Sequence, residues 1–232
     1  SDMCSSDLDL YVNAISAIAL DCDSKVVLYE KNAYTPIEIA STTKIITALV
    51  AIKCGDLNKK IIISKKAATI RGSEIGLKEG EEITLKELLY GLLMRSGNDA
   101  AIAIAEGVSG SVDEFLKLMN EYALEIGLLN SNFESPHGLD SSNHYSTAYD
   151  LALITAKAKE VKTFNDIVGS KDIIAKDYDF TRSYHNINKI LSILPNSTGV
   201  KTGFTGKAGK CLVTSVKIQN RDIIIIDRKS VV

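Results

Sequence analysis

Three short motifs occur in a fixed order in this chain of 232 residues: Ser41-Thr42-Thr43-Lys44, Ser96-Gly97-Asn98 and Lys201-Thr202-Gly203. Their residue types could make a serine acyl-transfer site. A serine hydroxyl attacks poorly until a neighbouring base takes its proton, and the first motif supplies both groups. Residues 41–52 are an apolar, glycine-free run in which Ile45, Ile46, Leu49 and Ile52 recur at helical spacing, which predicts a buried helix. Residues three apart share a helix face, so Lys44 can stand beside Ser41 and no distant histidine is required. As a base Lys44 must be neutral, although a free lysine titrates near ~10.4 and each tenfold loss of proton affinity costs about 1.4 kcal/mol. Burial and a second cation both push that way. Lys201 is the candidate cation.

Ser96-Gly97-Asn98 falls between two helical patterns, residues 85–94 and 99–106, in a tight turn that can point two polar side chains into a cleft. There Ser96 could relay a proton between lysine and leaving group, and Asn98 could hydrogen-bond a substrate amide. Lys201-Thr202-Gly203 opens a strand pattern whose Gly203 allows a ligand backbone to lie close. Lys201 and Thr202 would bind a carboxylate, and the amides of Ser41 and Phe204 could form an oxyanion hole. Each motif also has a plain reading: an N-capping Ser or Thr followed by a solvated lysine, a helix-linking turn, an ordinary strand turn. Order and context, not any single motif, carry the chemistry.

The elements that must position these residues follow from pattern. Residues 14–20 and 25–31 form a hairpin about the turn Asp21-Cys22-Asp23-Ser24. Ser111 with Glu114 makes a capping box for a helix reaching about residue 126, and another helix spans residues 147–159. Strands return at residues 199–203, 209–218 and 221–226. Strands at both ends of a helical middle imply an α+β fold with one antiparallel sheet closed by the N- and C-terminal strands. Ile223 to Ile226 are apolar on both faces, as in the middle of a covered sheet, whose cover should include a helix that follows.

Composition fits one globular domain: 45% hydrophobic, 24% charged and a net charge of −2, which gives no electrostatic case for nucleic acid. No repeat, linker, signal peptide or transmembrane run is evident. Setting Cys4 aside, Cys22, Cys54 and Cys211 are an odd, scattered set that reads as free, mostly buried thiols. There is no zinc motif and no cofactor motif. His137 falls in a turn, and His144 and His185 fall on polar segments. A Ser-His-Asp triad lacks its Gly-x-Ser-x-Gly.

With Ser135-Pro136-His137-Gly138-Leu139-Asp140, Ser146-Thr147-Ala148-Tyr149-Asp150 and Gly199-Val200-Lys201-Thr202-Gly203-Phe204-Thr205 added to the three motifs, the chain resembles the penicillin-recognising serine enzymes, and among them the low-molecular-mass D-alanyl-D-alanine carboxypeptidases. The resemblance implies a β-lactamase/transpeptidase-like α/β/α sandwich. It also implies Ser41 as the acylated residue, Lys44 as base and Ser96 as a further catalytic group, with Asn98, Lys201, Thr202, Gly203 and Phe204 shaping the substrate cleft. No metal or cofactor is implied. The implied reaction is loss of the last D-alanine from peptidoglycan stem peptides in cell-wall synthesis and the control of cell shape, outside the cytoplasmic membrane, with β-lactams as inhibitors. Membrane anchoring could come only through segments absent from the chain.

Three rivals stay open. A class A β-lactamase needs a water-activating glutamate, yet none of Glu106, Glu114, Glu121, Glu125, Glu134 and Glu160 stands in a Glu-x-x-x-Asn context. A silent cell-wall peptide binder would not need the intact motifs. A D,D-endopeptidase would use the same chemistry.

The ends have a different look. Residues 227–232 back-translate as GAT CGG AAG AGC GTC GTG, which resembles a common short-read sequencing adapter. Ser1-Asp2-Met3-Cys4-Ser5-Ser6-Asp7-Leu8 resembles the translated opposite adapter, with Met3 in place of the expected valine. The expectation is a truncated reading frame, with a catalytic domain over residues 9–226 that is incomplete at its C-terminal side and with residues 1–8 and 227–232 foreign to it. Coding DNA that continues the gene there without adapter sequence would overturn it.

Overall fold

A computed structural model describes residues 12–229; residues 1–11, with Cys4 and the whole segment 1–8 among them, and residues 230–232 lie outside the described residues. The chain opens with β1 (Ser16–Asp21) and β2 (Val27–Lys31), then a 3-10 turn (Ala40–Thr43) that runs straight into α1 (Lys44–Cys54). The middle comprises β3 (Lys60–Ile62), α2 (Lys65–Thr69), β4 (Glu82–Thr84), α3 (Leu85–Met94), α4 (Asn98–Ser109), α5 (Val112–Glu125), α6 (Ala148–Lys159), α7 (Lys162–Val168), β5 (Asp172–Ile173), α8 (Ala175–Tyr178), β6 (Tyr184–His185) and α9 (Ile190–Ile193). It closes with β7 (Ser197–Thr205), β8 (Gly209–Ile218) and β9 (Arg221–Lys229).

The expected sheet is present, in the order β2-β1-β9-β8-β7, antiparallel throughout. β9 lies between β1 and β8, so the isoleucine run is central. Ile18, Leu20, Ile224 and Ile226 are between 0 and 2% exposed on one face, and burying each stabilises the fold by about 1.5–3 kcal/mol. α6 covers that face at β1 and β9. On the other face Ile223 is buried but Ile225 is 39% exposed. The last strand runs three residues beyond the expected boundary, to Lys229, with Ala17 opposite Asp227 and Ser16 opposite Arg228. α9 packs against the edge strand β7.

Local chemistry sets the helix boundaries. Thr84, Ser111 and Thr147 cap α3, α5 and α6 by accepting from the backbone N–H three residues on, each worth about 1 kcal/mol. Gly110 ends α4 at φ 84°, a conformation that costs glycine little. α1 is buried along Lys44 to Ala51, as a helix apolar on all sides must be, and α3, α4, α5 and α6 surround it. β7 is the sheet edge nearest that bundle, and the 3-10 turn packs on it.

Candidate active site

Ser41 is not in the first turn of an α-helix as the apolar run suggests; it sits in the 3-10 turn, and Lys44 is the first residue of α1. The difference sharpens the pairing, because residues i and i+3 eclipse in 3-10 geometry. Lys44 Nζ lies 2.8 Å from Ser41 Oγ, 2.8 Å from Asn98 Oδ1 and 2.8 Å from the His137 carbonyl oxygen. Two of these partners can only accept. A neutral amine has two hydrogens and one lone pair, so the hydrogens go to Asn98 and His137, and the lone pair faces the Ser41 hydroxyl. Lys44 is 0% exposed. Burial first, and then the charge on Lys201, holds its ammonium well below the usual lysine range, with Asp99 acting weakly the other way.

The α3–α4 turn presents Ser96 at φ 62°, a left-handed conformation that is uncommon outside glycine. Lys201 Nζ donates to Ser96 Oγ at 3.0 Å and to the Thr202 carbonyl at 2.7 Å. Asn98 Nδ2 donates to the Arg71 carbonyl at 2.8 Å, which leaves its second hydrogen for a ligand. Burial lowers the Lys201 ammonium to about 7.

The third motif does not open its strand: Lys201 lies in the middle of β7, opposite Val213. By alternation Lys201 and Gly203 share the inner face, while Thr202 and Phe204 alternate to the other side. The structure therefore gathers Ser41, Lys44 and Asn98 in one hydrogen-bonded set and Ser96 with Lys201 in a second, close enough for the Lys201 charge to act on Lys44, and does not bring the side chains of Thr202 or Phe204 into either. Thr202 is half-buried and lines, with Gly203, a cleft of about 420 Å³ toward α9; Phe204 is 60% exposed. Gly203 is needed for the approach, since a Cβ there would lie 2.9 Å from the Ser41 amide nitrogen.

Sequence reasoning missed two side chains beside these groups. Asp99, 2% exposed, accepts from the backbone N–H groups of Ile75, Gly76, Leu77 and Ala100 at 2.8 to 3.1 Å. It ties residues 75–77 to the start of α4, while Asn98 N–H holds the Ser73 carbonyl. The second is His144, expected on a polar segment. It is 4% exposed, packs edge-on against Phe133, and bonds both Thr43 and the Glu134 backbone. An acid directly after the second motif was a readable hint for Asp99, whereas nothing near His144 in sequence marks it. His137 is also buried, and burial with the nearby Lys44 lowers it to about 3. Cys22 and Cys211 are buried free thiols, and Cys54 is exposed. Among the described residues no group of three or more His, Cys, Asp or Glu could hold a metal ion, and no helix is long and apolar enough to cross a membrane.

Comparison with known proteins identifies the family. The profile described as D-alanyl-D-alanine carboxypeptidase matches residues 4–228. The D-alanyl-D-alanine carboxypeptidase DacF of Bacillus subtilis (strain 168) is 39% identical over 224 residues, which cover 94% of this chain and 58% of that protein. The chain thus spans little more than half the length of that relative. A solved mutant of the Streptomyces K15 DD-transpeptidase superposes with a TM-score of 0.89 at 30% identity, covering 96% of this chain and 93% of that one. A D-alanyl-D-alanine carboxypeptidase from Mycobacterium tuberculosis H37Rv gives 0.90 at 30% identity, covering 96% and 85%. With a profile match over nearly the whole chain, and two superpositions that reproduce its sheet and helical bundle together, the chain belongs to the D-alanyl-D-alanine carboxypeptidase family.

Proposed function

We propose that the chain is the catalytic part of a penicillin-sensitive serine peptidase that removes the terminal D-alanine of peptidoglycan stem peptides, acting on the outer side of the cytoplasmic membrane. The observation that carries this reading is Lys44 Nζ at 2.8 Å from Ser41 Oγ with its other two partners both acceptors. Ser41 Oγ attacks the penultimate D-alanine carbonyl while Lys44 takes its proton. The C–N bond breaks, and Ser96 passes a proton to the departing amine. Water then cleaves the Ser41 ester. Asn98 holds the substrate amide, Lys201 attracts the terminal carboxylate with Thr202 at the strand edge, and Gly203 lets the peptide lie along β7. The amides of Ser41 and Phe204 face the developing oxyanion.

The β-lactamase alternative gains nothing from Glu134, whose carboxylate accepts from the Ser141 hydroxyl and the Asn143 N–H. The test is the intact mass of folded protein after incubation with benzylpenicillin, beside Ser41→Ala. The expected result is a persistent adduct of one penicillin in the wild type and none in the variant. An adduct on Ser41→Ala, or no adduct on folded wild type, would overturn the reading. Rapid penicillin hydrolysis without a persistent adduct would reassign the chain to the β-lactamases.

A further inference from the structure

We propose that Thr43 and His144 are positioning residues for acylation: they clamp the Ala40 carbonyl and thereby aim the Ser41 amide N–H into the cleft. The inference rests on the reading of Ser41 as the acylated residue.

The hydrogen bonds around His144 admit one assignment. Its Nδ1 faces the backbone N–H of Glu134 at 3.0 Å, which can only donate, so Nδ1 carries no proton. The proton of the neutral ring is then on Nε2, which donates to Thr43 Oγ1 at 2.8 Å. The single hydroxyl hydrogen of Thr43 goes to the Ala40 carbonyl oxygen at 2.8 Å. Thr43 is 0% and His144 4% exposed, so no solvent competes for these bonds. A second proton on His144 would point Nδ1–H at the Glu134 N–H, and burial already lowers the ring to about 4.

The chain of bonds ends on the peptide that matters. Ala40 has φ 48°, a left-handed conformation that an alanine keeps only when its surroundings impose it. Its carbonyl is also walled in by Gly138, where a Cβ would fall 1.9 Å from the Ala40 oxygen. A planar trans peptide points its C=O and N–H in opposite directions. Fixing the Ala40 oxygen toward Thr43 and Gly138 therefore fixes the Ser41 N–H on the opposite side, where the peptide meets β7 at Gly203. Ser41 N–H is one of the two proposed oxyanion donors, and the peptide it belongs to cannot swing while the clamp holds.

The test is acylation by a fluorescent penicillin, followed so that the acylation rate constant is separated from the pre-covalent dissociation constant, with the active fraction titrated in each preparation. Thr43→Val keeps the shape and removes the hydroxyl; His144→Phe removes the donor from the other end. Each is expected to slow acylation roughly tenfold to a hundredfold, a part of the loss seen when an oxyanion donor is removed outright. The pre-covalent constant should stay within about twofold, because an oxyanion donor acts in the transition state. The double variant should be no slower than the slower single one, since both cut the same chain of bonds. Thr43→Ser should restore most of the rate. A merely structural role would lower the titratable fraction and leave the rate of the active molecules unchanged. Wild-type rates in Thr43→Val, a multiplicative double variant, or Thr43→Ser as slow as Thr43→Val would each overturn the inference. If one single variant does not fold, the other gives the same reading. A folded wild type that takes no penicillin would overturn the proposed function and this inference with it, which sets that failure apart from the others.

Discussion

At Lys44 two destabilising circumstances combine into a usable base, because an ammonium that is buried and faces a second cation gives up its proton readily. The remaining charge belongs to Lys201, whose ammonium titrates at about 7. That division fixes the shape of the pH dependence. Burial and the facing cation push the Lys44 ammonium down, and the alkaline limb of kcat/KM reports Lys201: its charge is present below about pH 7 and is lost above it. KM for a peptide with a free C-terminal carboxylate should rise above about pH 7, while a substrate with a blocked carboxylate should show no such limb; equal profiles for the two would contradict the carboxylate role. Lys44→Ala should cost nearly as much acylation as Ser41→Ala, because residues acting as one unit are not additive, and residual adduct formation above about one-hundredth of the wild-type rate would contradict its role as base. The Ser41–Lys44 pair was legible because three-residue spacing is a local property. His144 was not, because its partner Thr43 is 101 residues away and its burial exists only once both segments have met.

Among the elements, the turn between α3 and α4 and the stretch 71–77 act as one wall of the cleft, pinned by Asn98 and Asp99. Charge-assisted bonds to backbone N–H groups are stronger than neutral ones. Asp99→Ala should therefore destabilise the protein by about 2–4 kcal/mol and speed hydrogen exchange at Ile75, Gly76 and Leu77 beyond the global change. Unchanged protection of those three amides in urea-matched conditions would show that the carboxylate does not hold the loop. α3, α5 and α6 were readable almost to the residue, since their caps are written beside them. The short pieces β3 to β6, α2 and α7 to α9 were not, because two to seven residues give too little periodicity and tertiary contacts decide their state. β7 was readable as a strand but not in extent: Ser197 at one end and Phe204 and Thr205 at the other join it through pairing with β8, outside the pattern that marks its core.

For the molecule as a whole, the buried Lys201 is a liability carried for the site. Its pKa is lower in the folded chain than in the unfolded one, so between about pH 7 and 10.5 the unfolded state binds more protons and folding stability attributable to this group rises with pH. Relative to Lys201→Met, wild type should thus gain a few kcal/mol between about pH 7 and pH 10, at about 1.4 kcal/mol for each step of one in pH, in paired urea titrations; a constant gap would mean that Lys201 is not buried as a charge. The overall architecture could be read from strands flanking a helical middle, but which strand edge meets the bundle could not. That edge has a further consequence. Ser41, Lys44 and Asn98 come from the first half of the chain, while Lys201 arrives on β7, beside β8 and β9, in the last third. Pairings so distant in sequence form late and slowly. A chain still emerging from a ribosome or a translocation channel would thus hold a serine and a lysine side by side with both the strand that helps bury them and the second cation still to come, so that neither cause of the lysine's lowered proton affinity is complete. Reactivity would switch on only when the last hairpin docks, so the fraction of molecules that take penicillin would count completed folds and not chains made.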